Sequence, residues 1–170
     1  MNQIDTKFRG RVITVNVERV QLPNGDSADY EIVHHPGGAA AVAIDEQRRV
    51  CLLRQFRPAA EGWVWELPAG RLEPNEPPAE TARRELIEEA GCEAAQWSDL
   101  GHILSSPGVF DERIYLYLAR DLRTVPQQHE RHELLEVHWV DLQEAMNRAL
   151  RGEITDSKTV VGLLRAGAGV

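Results

Sequence analysis

The sequence has only two cysteines, Cys51 and Cys92, and they lack metal-ligand spacing. Both lie in apolar surroundings, which favours small, reduced core residues over a disulfide. No apolar run approaches the ~20 residues needed to span a bilayer. The opening segment MNQIDTKFRGR has no apolar stretch of the secretory kind, so a cytoplasmic protein with no membrane partner is expected. Acidic side chains outnumber basic ones, 27 to 19. A formal net charge of −8 argues against a nucleic-acid partner, which would need clustered Lys and Arg. There is no internal repeat, low-complexity tract or linker, and no Ser-His-Asp or Cys-His nucleophile signature. His129, His132 and His138 follow no common zinc spacing, so they are not read as ligands. What remains is an ordinary globular composition of 42% hydrophobic and 27% charged residues over 170 positions, enough for one domain with a real core.

Residues 11–20 (RVITVNVERV) alternate and are rich in β-branched side chains, which predicts a strand. Pro23-Asn24-Gly25-Asp26 signals a turn, and Tyr30–His34 returns as the second strand of a hairpin. Ala39–Ile44 reads as a short buried strand, Asp45–Gln47 as a turn, and Val50–Gln55 as its partner. The spacing of Ala79, Ala82, Leu86 and Ala90 predicts a helix over Pro77–Ala90, with Pro78 in its first turn and Gly91 as its stop. Further strands are expected near Leu100–Leu104, Arg113–Ala119 and Leu135–Val140. Asp141 and Asp156 suit the caps of two last helices, one running to about Arg151 and closed by Gly152, the other to about Leu164. Strands interspersed with a few helices imply an α+β, or mixed α/β, fold.

The strongest chemical signal is on the first helix. Glu85, Glu88 and Glu89 stand at i, i+3 and i+4, so they are expected to share one face, away from the Ala/Leu stripe. Like charges at this spacing destabilise a helix by ~0.2–0.5 kcal/mol per pair. Arg84 supplies one compensating charge. A hard divalent cation held by carboxylate oxygens would supply the rest and could bridge to phosphates. A solvated polar face is the bland alternative. Against it, Gly70, Glu76, Arg84, Glu85, Glu88, Glu89 and Gly91 recur in one fixed spacing, a match expected by chance on the order of once in a million chains.

That spacing resembles the signature box of the Nudix hydrolases: Gly, Glu, then Arg-Glu-aliphatic-x-Glu-Glu-x-Gly-aliphatic. The one departure is Cys92 at the last aliphatic position, a small hydrophobe that leaves the chemistry untouched. The resemblance implies a mixed β-sheet sandwiched between helices, here preceded by an N-terminal antiparallel hairpin. It implies Mg2+, with Mn2+ as a possible substitute, held by Glu85 and Glu89 with help from Glu88, and by the backbone carbonyl of Ala69 before the box glycine. Arg84 would orient a glutamate, and Glu76 would stabilise the box loop beside the structural Gly70 and Gly91.

Flanking residues resemble the ADP-ribose pyrophosphatase subgroup. They are Trp65-Glu66-Leu67-Pro68-Ala69-Gly70, the strand end Arg54-Gln55-Phe56-Arg57-Pro58, and Pro107 in Ser106-Pro107-Gly108. The resemblance implies that Arg57 holds the diphosphate or the terminal ribose; the alternative is an arginine snorkelling at a strand end. Glu112 would meet the ribose or its waters, or else pair with Arg113 or another surface base. Relatives carry an Asp-Glu-x-Glu run as a source of catalytic base and metal ligand. The stretch His129-Glu130-Arg131-His132-Glu133 corresponds, so Glu130 or Glu133 is the expected base, with Glu133 also reaching the metal. Glu112 or a box glutamate is the fallback.

By the same resemblance, residues 1–36 would form dimerisation strands and residues 37–170 the hydrolase domain of a homodimer, the whole forming one compact unit. Phe8, Tyr30 and Trp63 are candidates to stack on adenine, and equally candidates for packing. The implied reaction is hydrolysis of the diphosphate bond of ADP-ribose or a related ADP-sugar. Two alternatives stay open: another nucleoside diphosphate sugar such as GDP-mannose, or a module that binds ADP-ribose without cleaving it.

Overall fold

The computed structural model describes residues 4–128 and 134–168. In chain order its elements are β1 (Ile4–Arg9), β2 (Thr14–Gln21), β3 (Ser27–His34), β4 (Gly38–Ala43), β5 (Arg49–Arg57), β6 (Gly62–Glu66) and β7 (Ala69–Arg71). Then come α1 (Pro78–Ala90), β8 (Cys92–Leu104), β9 (Arg113–Thr124), β10 (Leu135–Asp141), α2 (Leu142–Leu150) and α3 (Ser157–Ala168). They divide into two compact units, one of Met1–Gly37 with Leu104–Arg113, the other of Gly38–Ile103 with Ile114–Val170.

The first unit is an antiparallel sheet in the order β1-β2-β3. The expected hairpin is its β2–β3 half, closed by Gly25 at φ 92° and by the Leu22 N–H donating to Asp26 O at 2.8 Å. The additional strand β1 is the sequence IDTKFR, exposed at every residue, with a register shift between Thr6 and Phe8. It has no buried face to give it an apolar alternation; its ladder to β2 holds it in place. Residues 104–113 join β3 through the Val33 N–H, which donates to Val109 O at 2.7 Å.

The second unit holds two sheets. In one, β5 lies between β10 and β6 and is antiparallel to both. The other is ordered β7-β4-β9-β8 and is mixed, because β4 runs antiparallel to β7 and parallel to β9. Every residue of β4 is buried, as expected of a strand covered on both faces. Its alternation sorts the core in two. Ala40 and Val42 pack with Leu52, Leu142, Ala145, Leu163 and Ala166, under α2 and α3. Ala41 and Ala43 pack with Cys51, Leu86, Cys92 and Ala119, under α1. Helices therefore cover both faces of the strand layer.

Small residues allow the close approach. A Cβ on Gly162 of α3 would come within 2.7 Å of Leu67 and 3.1 Å of Val42. Burying Leu86 alone contributes about 2 kcal/mol. The helix ends follow from local chemistry. Pro78 opens α1, and Gly91 closes it at φ 61°, where a Cβ would also meet Val125 O at 2.9 Å. Asp141 accepts from the Glu144 N–H at 3.0 Å to cap α2, and Asp156 accepts from the Thr159 N–H at 3.0 Å at the start of α3.

Candidate active site

The carboxylates of α1 do not share one solvated face. Glu85 and Glu89 are buried, at 9% and 3% exposure, while Glu88 is half-buried. The cause is β7, which packs against this helix. Glu89 Oε2 accepts from the Ala69 N–H at 2.8 Å. Glu85 lies against Gly70 so closely that a Cβ there would overlap the carboxylate, with even its farther oxygen only 2.8 Å away. Position 70 therefore has to be glycine for Glu85 to occupy this place. Two acidic side chains, one helical turn apart, are drawn out of water onto the Ala69–Gly70 backbone.

Arg84 is the counter-charge of this cluster. Its Nη1 donates to Glu85 Oε1 at 2.7 Å and to Glu88 Oε2 at 3.0 Å. Its Nε and Nη2 donate to the two oxygens of Glu76 at 3.0 and 3.1 Å, and Nη2 also reaches Arg71 O at 3.3 Å. Glu76 in turn accepts from the Thr81 hydroxyl at 2.7 Å and the Glu73 N–H at 3.3 Å. The Arg84 guanidinium, aided by those two donors, holds the Glu76 carboxyl down at about 2. The same contacts push the Arg84 pKa upward, Glu76 first. Glu76 and Arg84 thus lock the loop before α1 to the helix.

Arg57, at the end of β5, does not snorkel. Its Nε and Nη2 form a fork on Glu66, both at 2.8 Å. Glu66 Oε2 also accepts from Lys158 Nζ at 2.7 Å, and Lys158 donates to Asp156 Oδ1 at 3.0 Å. Burial alone would raise the Glu66 pKa, but the Arg57 fork and the Lys158 ammonium outweigh it and hold the group at about 2. The Thr159 hydroxyl donates to Asp156 Oδ2 at 2.6 Å and accepts from the Leu67 N–H at 2.8 Å, tying α3 to the segment that leads into β7. Arg57 is held charged chiefly by Glu66, and the charge of Glu89 also bears on it. The guanidinium therefore lies within electrostatic reach of the buried Glu89 of α1.

Pro107 and Glu112 belong to the first unit. Pro107 is exposed in a turn in which Val109 and Phe110 N–H donate to Ser106 O at 3.1 and 2.9 Å. Glu112 lies just before β9, and its Oε1 lies 3.2 Å from His35 Nδ1. Phe8, Tyr30 and Trp63 are all exposed, and Trp63 carries Arg54 over its ring at 5.1 Å and the edge of Phe56 at 5.9 Å. His129, Glu130, Arg131, His132 and Glu133 lie outside the described residues. The sequence reading assigned no role to Lys158 or Thr159. Their only sequence signal is the capping pattern behind Asp156, whereas their partners Glu66 and Leu67 are 92 positions away.

Among the described residues, no group of three or more His, Cys, Asp or Glu forms a ready metal-binding arrangement. Glu88 turns to Arg84, while Glu85 and Glu89 face β7. The donor set nevertheless fits a hard cation. Oxygen is its only ligand atom, two of its carboxylates are already desolvated, and the missing Cβ at Gly70 leaves room for one of them against the backbone.

A carboxylate helix under a glycine-bearing strand, with an arginine nearby, is the kind of arrangement that handles phosphates through a hard cation. The model of the NUDIX domain matches residues 34–160, and the chain belongs to the NUDIX family. It is 37% identical over 158 residues to an ADP-ribose pyrophosphatase of Bacillus subtilis (strain 168), covering 92% of this chain and 85% of that one. It is 37% identical over 163 residues to an ADP-ribose pyrophosphatase of Mycobacterium tuberculosis, covering 94% of this chain and 79% of that one. Among solved structures, an ADP compounds hydrolase superposes with a TM-score of 0.83 at 22% identity, covering 98% of this chain and 91% of that chain, which shows the same fold. No helix among the described residues is long and apolar enough to cross a membrane.

Proposed function

We propose that this Nudix hydrolase cleaves the diphosphate bond of ADP-ribose, releasing AMP and ribose 5-phosphate, with water as the attacking group. The observation that carries this reading is the burial of Glu85 and Glu89 on the Ala69–Gly70 backbone. Carboxylates held together in this way offer a divalent cation hard oxygen ligands already in place. Nudix hydrolases use divalent metal ions, and we assign Mg2+, with Mn2+ as a substitute. Glu85, Glu89 and the Ala69 carbonyl would hold it, with Glu88 assisting. When bound, such an ion offsets the charge of the diphosphate and makes water more acidic.

The chain's own groups do the rest. Arg84 and Glu76 keep α1 and its loop in register, so that Glu85 and Glu89 are preorganised. Arg57 presents a cation to the diphosphate. Glu130 or Glu133 takes the proton from the attacking water, and Glu112 meets the ribose side from the loop that carries Pro107. Residues 1–36 serve dimerisation, a reading supported by the exposed Ile4, Phe8, Val12 and Tyr30. Two buried free thiols suit a reducing cytoplasm.

The test is incubation with ADP-ribose and Mg2+, followed by chromatography. AMP and ribose 5-phosphate should appear, and Glu89→Gln should slow their release by about a hundredfold or more. Calorimetric binding of ADP-ribose with no AMP formed would overturn hydrolysis in favour of a binding module.

A further inference from the structure

Glu66 has two cationic partners where one would suffice, and they differ in exposure. The Glu66 and Lys158 side chains are buried, at 4% and 12%, whereas the Arg57 side chain is 41% exposed. Nη2 of Arg57 and Nζ of Lys158 converge on the same oxygen, Oε2. Lys158 is also fixed from behind by Asp156, and α3 is tied to Leu67 through Thr159. The lysine is therefore the stationary partner, and the arginine is the one with access to solvent.

We propose that Lys158 is a positioning residue that keeps the buried Glu66 carboxylate paired when the Arg57 guanidinium leaves it for the substrate diphosphate. This rests on the reading above in which Arg57 holds that diphosphate. A fork made to a carboxylate and a fork made to a phosphate use the same donors, so Arg57 serves one anion fully only at the expense of the other. If Arg57 were the only cation on Glu66, its departure would strand a buried charge, and the arginine would stay locked in place. With the Lys158 ammonium already on Oε2, the exchange leaves Glu66 neutralised. Lys158 thereby sets how readily Arg57 is lent to the substrate, acting on binding rather than on the chemical step.

The experiment is steady-state hydrolysis of ADP-ribose with saturating Mg2+ by four variants of the full chain: Arg57→Gln, Lys158→Met, Lys158→Arg and the double variant Glu66→Gln/Lys158→Met. Lys158→Met should raise KM about tenfold while kcat stays within about twofold. Lys158→Arg keeps the charge and should restore KM. The double variant strands no carboxylate, so its KM should fall back to within about threefold of the parent. A purely structural role for Lys158 would move kcat, KM and stability together and would not be rescued in this pattern. If Arg57→Gln leaves KM unchanged, the diphosphate role of Arg57 is itself wrong. If Arg57→Gln raises KM and folded Lys158→Met does not, the exchange is wrong while the role of Arg57 stands. Should Lys158→Met fail to fold, the double variant decides: a KM near the parent supports the exchange, and one as high as that of Arg57→Gln overturns it.

Discussion

Gly70→Ala is the substitution that separates the role of Glu85 in function from its role in stability. Gly70 has no positive φ, so alanine suits the backbone there. The conflict is with the Glu85 carboxylate alone, which a Cβ would overlap and whose farther oxygen would lie at 2.8 Å. Ordinary contact needs about 3.5 Å, so the nearer carboxylate atoms must retreat by more than about 1 Å. The clashing group is the end of a flexible side chain, which can swing away from β7. The cost to folding includes the loss of its 2.7 Å contact with Arg84. That amounts to about 1 kcal/mol, or roughly 2–4 °C in Tm for a chain of this size. Catalysis should suffer far more, since misplacing a site group by about 1 Å costs on the order of a hundredfold in rate. The assay is ADP-ribose turnover across a Mg2+ titration, alongside a melting curve. A variant whose kcat at saturating Mg2+ stays within about threefold of the parent would refute the idea that Gly70 exists to seat Glu85.

Three further outcomes follow from the same contacts. Arg84→Lys cannot reproduce a guanidinium that serves Glu76, Glu85, Glu88 and Arg71 O at once, so Tm should drop by a few degrees, and Mg2+ should recover part of the loss; equal losses with and without Mg2+ would contradict this. Hydrogen bonds to Glu18 first and Asp111 second raise the pKa of His34 above its ordinary 6.5, because only an imidazolium donates to both. Its contribution is therefore complete below about pH 6.5 and is lost as pH rises through the folded value, so His34→Gln should flatten the decline of Tm from pH 6 to pH 9, and parallel melting profiles would count against it. Gly91→Ala combines a left-handed φ of 61° with a 2.9 Å approach to Val125 O, and a destabilisation of about 1–3 kcal/mol should be measurable by urea unfolding, whereas a neutral effect would deny the close approach.

Much of this architecture could be read locally, and the unread parts share a physical reason. Helix α1 was legible because Pro78, the Ala/Leu spacing and Gly91 all lie within one short window. The buried strands β4 and β5 were legible from their apolar runs. Strands β1, β6 and β7 were not, because IDTKFR and GWVWE lack a clean alternation and AGR is three residues long; pairing partners make them strands. The site shows the same division. The i, i+3, i+4 spacing revealed three glutamates but not that Glu85 and Glu89 are buried, because their cover comes from β7, outside the helix. The fork of Arg57 on Glu66 joins β5 to the adjacent β6, and the Glu112–His35 pair spans 77 positions. Contacts of that kind have no signature in a single sequence.

The charge arrangement also decides where a cation is required. Around the box, the Arg84 guanidinium is shared among Glu76, Glu85 and Glu88. In the neighbouring network, Glu66 and Asp156 are matched by Arg57 and Lys158. The second cluster is balanced and has no electrostatic need of a metal. The first gathers several carboxylates, and a diphosphate approaching them without a cation between would meet like charge. ADP-ribose should accordingly bind the metal-free protein at least about a hundredfold more weakly than the Mg2+-loaded Glu89→Asp variant, in which turnover is slowed but the charge is kept. Isothermal titration with and without Mg2+ measures this difference. Equal affinities in the two states would mean that the diphosphate is held away from α1, by Arg57 and its surroundings alone.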